Sequence, residues 1–99
     1  MDYGLAQMES VSGDLQIENK IREFVAKKLL NTEGEFPLGN DASFLGQAGL
    51  DSLALLELVA LASREFGVQV SGGEVTPMNF DSVNRLAAYI RRKQADLNS

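Results

Sequence analysis

Cysteine and histidine are both absent from the 99 residues. The first absence excludes disulfides and thiolate metal sites; the second removes the usual zinc ligand and general base. The chain therefore has little chemistry of its own, and a reactive group must be attached to it or supplied by a partner enzyme. Basic residues are in deficit, nine against fourteen acidic, for a net charge of −5. That balance disfavours a nucleic-acid backbone and steers the protein towards basic surfaces. No apolar run approaches the length that spans a bilayer, and the amino terminus lacks the basic start and apolar core of a secretory signal. A cytoplasmic protein without a membrane span is expected. The acids between residues 31 and 49 lack the D-x-[DN]-x-[DN]-G spacing of a calcium loop, so no metal site is expected. Internal repeats and low-complexity tracts are also missing.

What is present is helical periodicity on the scale of one small domain. Residues 1–13 read as a flexible leader, although Leu5, Met8 and Val11 are spaced like a short helical face. Residues 14–95 form the domain, and residues 96–99 a tail. Asp14 is positioned to cap a first helix over Leu15 to Leu30. Its inward face is Ile17, Ile21, Phe24, Val25 and Leu29; Glu18, Lys20, Arg22, Glu23, Lys27 and Lys28 read as a solvated face. The long connection from Asn31 to Gly49 needs pinning, which Phe36, Leu38, Phe44 and Leu45 can supply.

A second helix starts near Ser52 and runs to Phe66, where Gly67 ends it. Leu55, Leu58, Val59, Ala62 and Phe66 share one face; Ala54, Glu57, Leu61, Arg64 and Glu65 lie on another, with Leu53, Leu56, Ala60 and Ser63 flanking. So apolar a helix is buried on several sides or keeps an apolar strip for a partner. Ser71-Gly72-Gly73 reads as a loose link. Thr76-Pro77 reads as a hydroxyl cap with proline at the first position of a short helix. Phe80 with Asp81 or Ser82 opens the last helix, with Val83, Leu86, Ala87, Tyr89 and Ile90 inward and Arg91, Arg92 and Lys93 at its carboxyl end. The expected core is Ile21, Phe24, Val25, Leu55, Leu58, Val59, Phe66, Val83, Leu86 and Ile90. The expected fold is all-α, a small four-helix bundle of three main helices plus one short helix.

Ser52 has three readings. Either Asp51 or Ser52 can cap the first turn through its side-chain oxygen. A nucleophilic serine fails on context, with no histidine to act as base and no G-x-S-x-G elbow. Attachment of an anionic group is the third, because the amides and dipole of a helix's first turn stabilise a phosphodiester. Capping and attachment are compatible.

Gly49-Leu50-Asp51-Ser52-Leu53, followed by Glu57, Leu58 and Phe66 in one long helix, resembles the attachment motif of the acyl carrier protein and peptidyl carrier protein family. Asn79-Phe80-Asp81-Ser82-Val83 and the helix after it resemble that family's last helix and preceding loop. The resemblance covers Asp14 to Lys93. It implies that Ser52 carries 4′-phosphopantetheine, derived from coenzyme A, whose thiol holds an acyl, aminoacyl or peptidyl group as a thioester. It also implies a carrier without catalytic residues, served by a phosphopantetheinyl transferase and by acyl or aminoacyl ligases, synthases or acyltransferases. With no cysteine in the chain, the arm's thiol would meet no competitor.

Asp51 and Glu57 are expected to meet basic residues of partners, and Leu53, Leu56 and Ala60 to make apolar contact. Bulk fatty acid synthesis carriers have a strongly acidic second helix, whereas this chain keeps Glu57 but shows Ala54, Ser63 and Arg64. A specialised, monomeric carrier is the expectation. The rival reading is a helical interaction adaptor that is never modified, supported by the apolar strip at Leu53, Leu56 and Ala60.

Overall fold

The computed structural model describes residues 15–97. The expected leader over residues 1–13 and the Asp14 cap lie outside the described residues. Helix α1, Gln16–Phe24, widens into a π-helical turn at Val25–Leu29. Helix α2 is Ser52–Phe66, α3 is the short Pro77–Phe80, and α4 is Val83–Leu97; a 3-10 turn, Gly72–Glu74, lies between α2 and α3. Helix α4 packs against all three others. Among the described residues the fold is the expected all-α bundle of three main helices and one short one. No helix among the described residues is long and apolar enough to cross a membrane.

The core follows the apolar stripes. Ile21, Val25, Leu55, Leu58, Val83, Leu86 and Ile90 are buried as expected, whereas Phe24, Val59 and Phe66 are only partly covered and pack at its edge. Phe36 and Phe44 carry the long connection into this core and meet edge to face, 6.0 Å between ring centres. Ala54 and Leu61, expected on the charged side of α2, are buried. A helix this apolar buries more than one stripe. Gly67 ends α2 at φ 66, donating to the Ser63 carbonyl while Val68 donates to that of Ala62. This left-handed cap is one a residue with a Cβ adopts only at a cost. Val68, the residue after that cap, is fully buried.

Polar side chains tie the irregular segments down. Arg22, read as part of a solvated face, donates to the carbonyls of Phe36 and Leu38 at 2.7 and 2.8 Å and to Asn40 Oδ1 at 2.7 Å. Its guanidinium also lies over the Phe36 ring, 5.2 Å from the centroid. Glu18, from the same supposed face, is buried against Arg91 of α4. At the other end of the connection, the Asp81 carboxylate accepts from Ser43 Oγ at 2.6 Å and from the Leu45 amide at 2.9 Å. Asn84 donates to Asp41 Oδ1 and, through its amide, to the Asn40 carbonyl. Between the two residues expected to open α4, Ser82 is the cap, its Oγ accepting from the Arg85 amide at 3.1 Å.

Three further local expectations change. Thr76 makes no side-chain cap; its carbonyl instead accepts from Asn79 and Phe80, while Pro77 holds the first position as expected. The Ser71-Gly72-Gly73 link is anchored rather than loose. Glu74 Oε1 accepts from the Ser71 amide at 3.2 Å, Tyr89 Oη at 2.8 Å and Lys93 Nζ at 3.2 Å. The Arg91-Arg92-Lys93 cluster does not end α4, which continues to Leu97. Its members are occupied separately: Arg91 by Glu18, Arg92 by Asn79 and the face of Tyr89, and Lys93 by Glu74.

Candidate functional site

The start of α2 is assembled from the loop before it. Gly49 takes φ 74, a left-handed turn that suits glycine. A Cβ at this position would meet no atom within 4 Å among the described residues, so the space beside the turn is open. The Leu50 amide donates to the Phe44 carbonyl at 3.0 Å, and Leu50 packs on the core, which fixes where the chain enters α2. Asp51 is extended, at φ −106 and ψ −177, and its Oδ1 accepts from the Ala54 amide at 3.1 Å. Of the two residues able to cap, Asp51 does so.

Ser52 is thereby released. It is the first residue of α2 and exposed, and its hydroxyl makes no hydrogen bond among the described residues. Its position on the first turn faces the positive end of the helix dipole, where an added anion is stabilised.

Leu53 and Leu56 are 69% and 60% exposed, an unusual outlay of large apolar side chains. Glu57 is exposed beside them and Ala60 half-covered, so Asp51, Ser52, Leu53, Leu56, Glu57 and Ala60 share one surface. Ala54, expected along the same strip, is buried and drops out, while Ser63 and Arg64 remain exposed. Two features escaped sequence reasoning. The end of α1 meets the start of α2, so Lys28 and Leu29 line a shallow depression with Leu50, Leu53 and Glu57. Met78 of α3 is 72% exposed. The pattern assigned Lys28 to the solvated face of the first helix, and nothing in the spacing of that helix could show that it reaches the site. The prominence of Met78 follows only from the placement of α3.

Among the described residues no group of acids is placed to hold a metal ion, and the chain has no histidine. The site presents a hydroxyl and an exposed surface.

Comparison with known proteins gives the same direction. A family profile described as "Phosphopantetheine attachment site" matches residues 19–90, most of the chain. An "Acyl carrier protein" of Buchnera aphidicola subsp. Schizaphis graminum is 34% identical over 77 residues, covering 78% of this chain and 92% of the relative. That of Buchnera aphidicola subsp. Acyrthosiphon pisum is 33% identical over 78 residues, covering 78% and 91%. The "Acyl carrier protein" of Desulforapulum autotrophicum is 30% identical over 79 residues, covering 80% and 99%. No solved structure gives a significant match. With the profile spanning the bundle and relatives matched over nearly their whole length, the chain belongs to the acyl carrier protein family and carries its phosphopantetheine-attachment domain.

Proposed function

We propose that Ser52 is the attachment residue and that the protein presents an acyl or aminoacyl group to partner enzymes from that point. The observation that carries this reading is the division of labour at the start of α2: Asp51 makes the cap, leaving the Ser52 hydroxyl exposed and uncommitted. The residues present fit a 4′-phosphopantetheine group joined by a phosphodiester. Ser52 Oγ can take the phosphate, the first-turn amides favour its charge, and the open turn at Gly49 leaves space for a modifying enzyme. When bound, the group supplies a thiol that holds cargo as a thioester. The chain's own part is to orient the attachment point and offer a docking face, and catalysis is left to its partners.

Asp51, Leu53, Leu56, Glu57 and Ala60 form that face in this reading. Its content supports a specialised carrier rather than a bulk fatty acid synthesis carrier, since two large apolar side chains dominate it and Glu57 and Arg64 differ in sign. Bulk synthesis enzymes turning over the protein as well as their usual carrier would contradict the specialisation without touching the attachment.

Incubation with coenzyme A and a broad-specificity phosphopantetheinyl transferase, read by intact mass, tests attachment. The parent is expected to gain one phosphopantetheine and Ser52→Ala none. A folded parent that gains nothing beside an active transferase favours the unmodified adaptor, whose support is the exposure of Leu53 and Leu56.

A further inference from the structure

Leu53, Leu56, Glu57, Ala60 and Arg64 recur at steps of three, one, three and four along α2, which places them on one helix face. Glu57 and Arg64 are seven residues apart, so they stand nearly in line and about 10 Å apart along the axis. The charges around them do not cancel. At the serine end two acids, Asp51 and Glu57, share a depression with the single base Lys28. At the far end Lys20 and Glu65 satisfy each other at 3.2 Å, which leaves Arg64 exposed and without an ion-pair partner among the described residues. Along the helix the strip therefore runs from an acidic end, where Leu53 and Leu56 lie between Asp51 and Glu57, past Ala60 to a positive end at Arg64.

We infer that this strip selects a partner protein of complementary pattern: a basic side chain to meet Glu57, an apolar recess beside it on the Ser52 side for Leu53 and Leu56, and a carboxylate about 10 Å from that basic side chain to meet Arg64. Arg64 is the specificity-determining residue. A uniformly basic partner face would set a cation against it, and such juxtaposed like charges reject the wrong partner more sharply than a missing contact does. A second copy packed antiparallel would also pair Glu57 with Arg64 twice. Three apolar side chains on each copy fall far short of the roughly 800 Å² per partner of a stable interface, so a transient heterologous partner fits better. The inference rests on the docking role proposed above and adds the partner's charge order.

The test uses the full unmodified chain and two stapled helical peptides with the same leucine face. One carries Lys and Glu seven residues apart, the other Lys at both positions, and binding is followed by amide shifts of α2. The Lys/Glu peptide is expected to bind about three- to tenfold tighter at low salt, an advantage that fades as salt rises. Arg64→Glu should reverse the preference, and Arg64→Ala should fall between. Equal affinities that Arg64→Glu leaves equal, no shift at residues 53–64 with either peptide, or concentration-dependent self-association through α2 would each overturn the proposal. Because no modification is needed, a lost preference alongside normal mass gain at Ser52 rejects the charge order alone. A retained preference with no mass gain rejects the attachment alone.

Discussion

Arg91 grips both carboxylate oxygens of Glu18, Nη1 to Oε2 at 2.6 Å and Nη2 to Oε1 at 2.8 Å, joining α1 to α4 across most of the chain. A two-point guanidinium–carboxylate contact is among the stronger polar pairings, and here the carboxylate is buried. The Arg91 hydrogen bonds hold the Glu18 carboxyl below its ordinary value of 4.5, against the opposing effect of burial. A lowered folded-state value means stability that is present above about 4.5 and lost as pH falls through the folded value. Glu18→Gln should therefore cost about 1 to 3 kcal/mol at pH 7. In urea titrations the gap between parent and variant should narrow at pH 3; a gap independent of pH would refute the assignment.

Asp81 fastens the connection that delivers the chain to Ser52. Its carboxylate receives Ser43 Oγ and the Leu45 amide, and its carbonyl receives the Phe44 amide at 2.8 Å. Asp81→Ala removes both side-chain acceptors and should cost about 1 to 3 kcal/mol. Hydrogen exchange should accelerate at residues 43–48 more than in the middle of α4. Uniform acceleration over the whole domain would mean that the carboxylate supports the fold generally rather than this loop.

Tyr89 holds the turn before α3 through Glu74. Burial first, and the Glu74 carboxylate second, push the phenol up from 10.0 to about 12. The neutral phenol is the form favoured in the fold, so its contribution is intact below about 10 and disappears as pH rises through about 12. Tyr89→Phe should lower stability by about 1 kcal/mol at pH 7. Its stability should also fall less than the parent's between about pH 10 and 12 in thermal scans. Parallel curves for the two proteins would show that the phenol does not titrate with folding.

Asp51 and Ser52 should separate stability from attachment. Asp51→Ala loses the bond to the Ala54 amide and is expected to cost about 1 kcal/mol. Ser52→Ala loses no hydrogen bond and should leave the denaturation midpoint near that of the parent while abolishing the mass gain. A clear loss of stability in Ser52→Ala would show that its hydroxyl shares the cap.

The sequence by itself determined the helices and most of the core. Apolar residues at steps of three and four place Ile21 with Val25, Leu55 with Leu58, and Leu86 with Ile90 on inward faces, because helix geometry is local and repeats every 3.6 residues. The stop at Gly67 and proline at the first position of α3 are equally local, each set by one residue's backbone preference. The motif around Ser52 was legible for the same reason, since its loop, cap and helix are consecutive.

Tertiary structure decided what the charged and polar side chains do. Glu18 and Arg22 sit at positions that periodicity assigns to solvent, yet one is buried by Arg91 and the other holds the carbonyls of Phe36 and Leu38. Arg91, Arg92 and Lys93 look like one basic cluster in the chain and serve three different partners in the fold. It also placed Lys28 beside the site. Apolar burial needs only a face, because the hydrophobic effect has no direction; a hydrogen bond or ion pair needs a particular atom within about 3 Å, and folding alone brings that atom there.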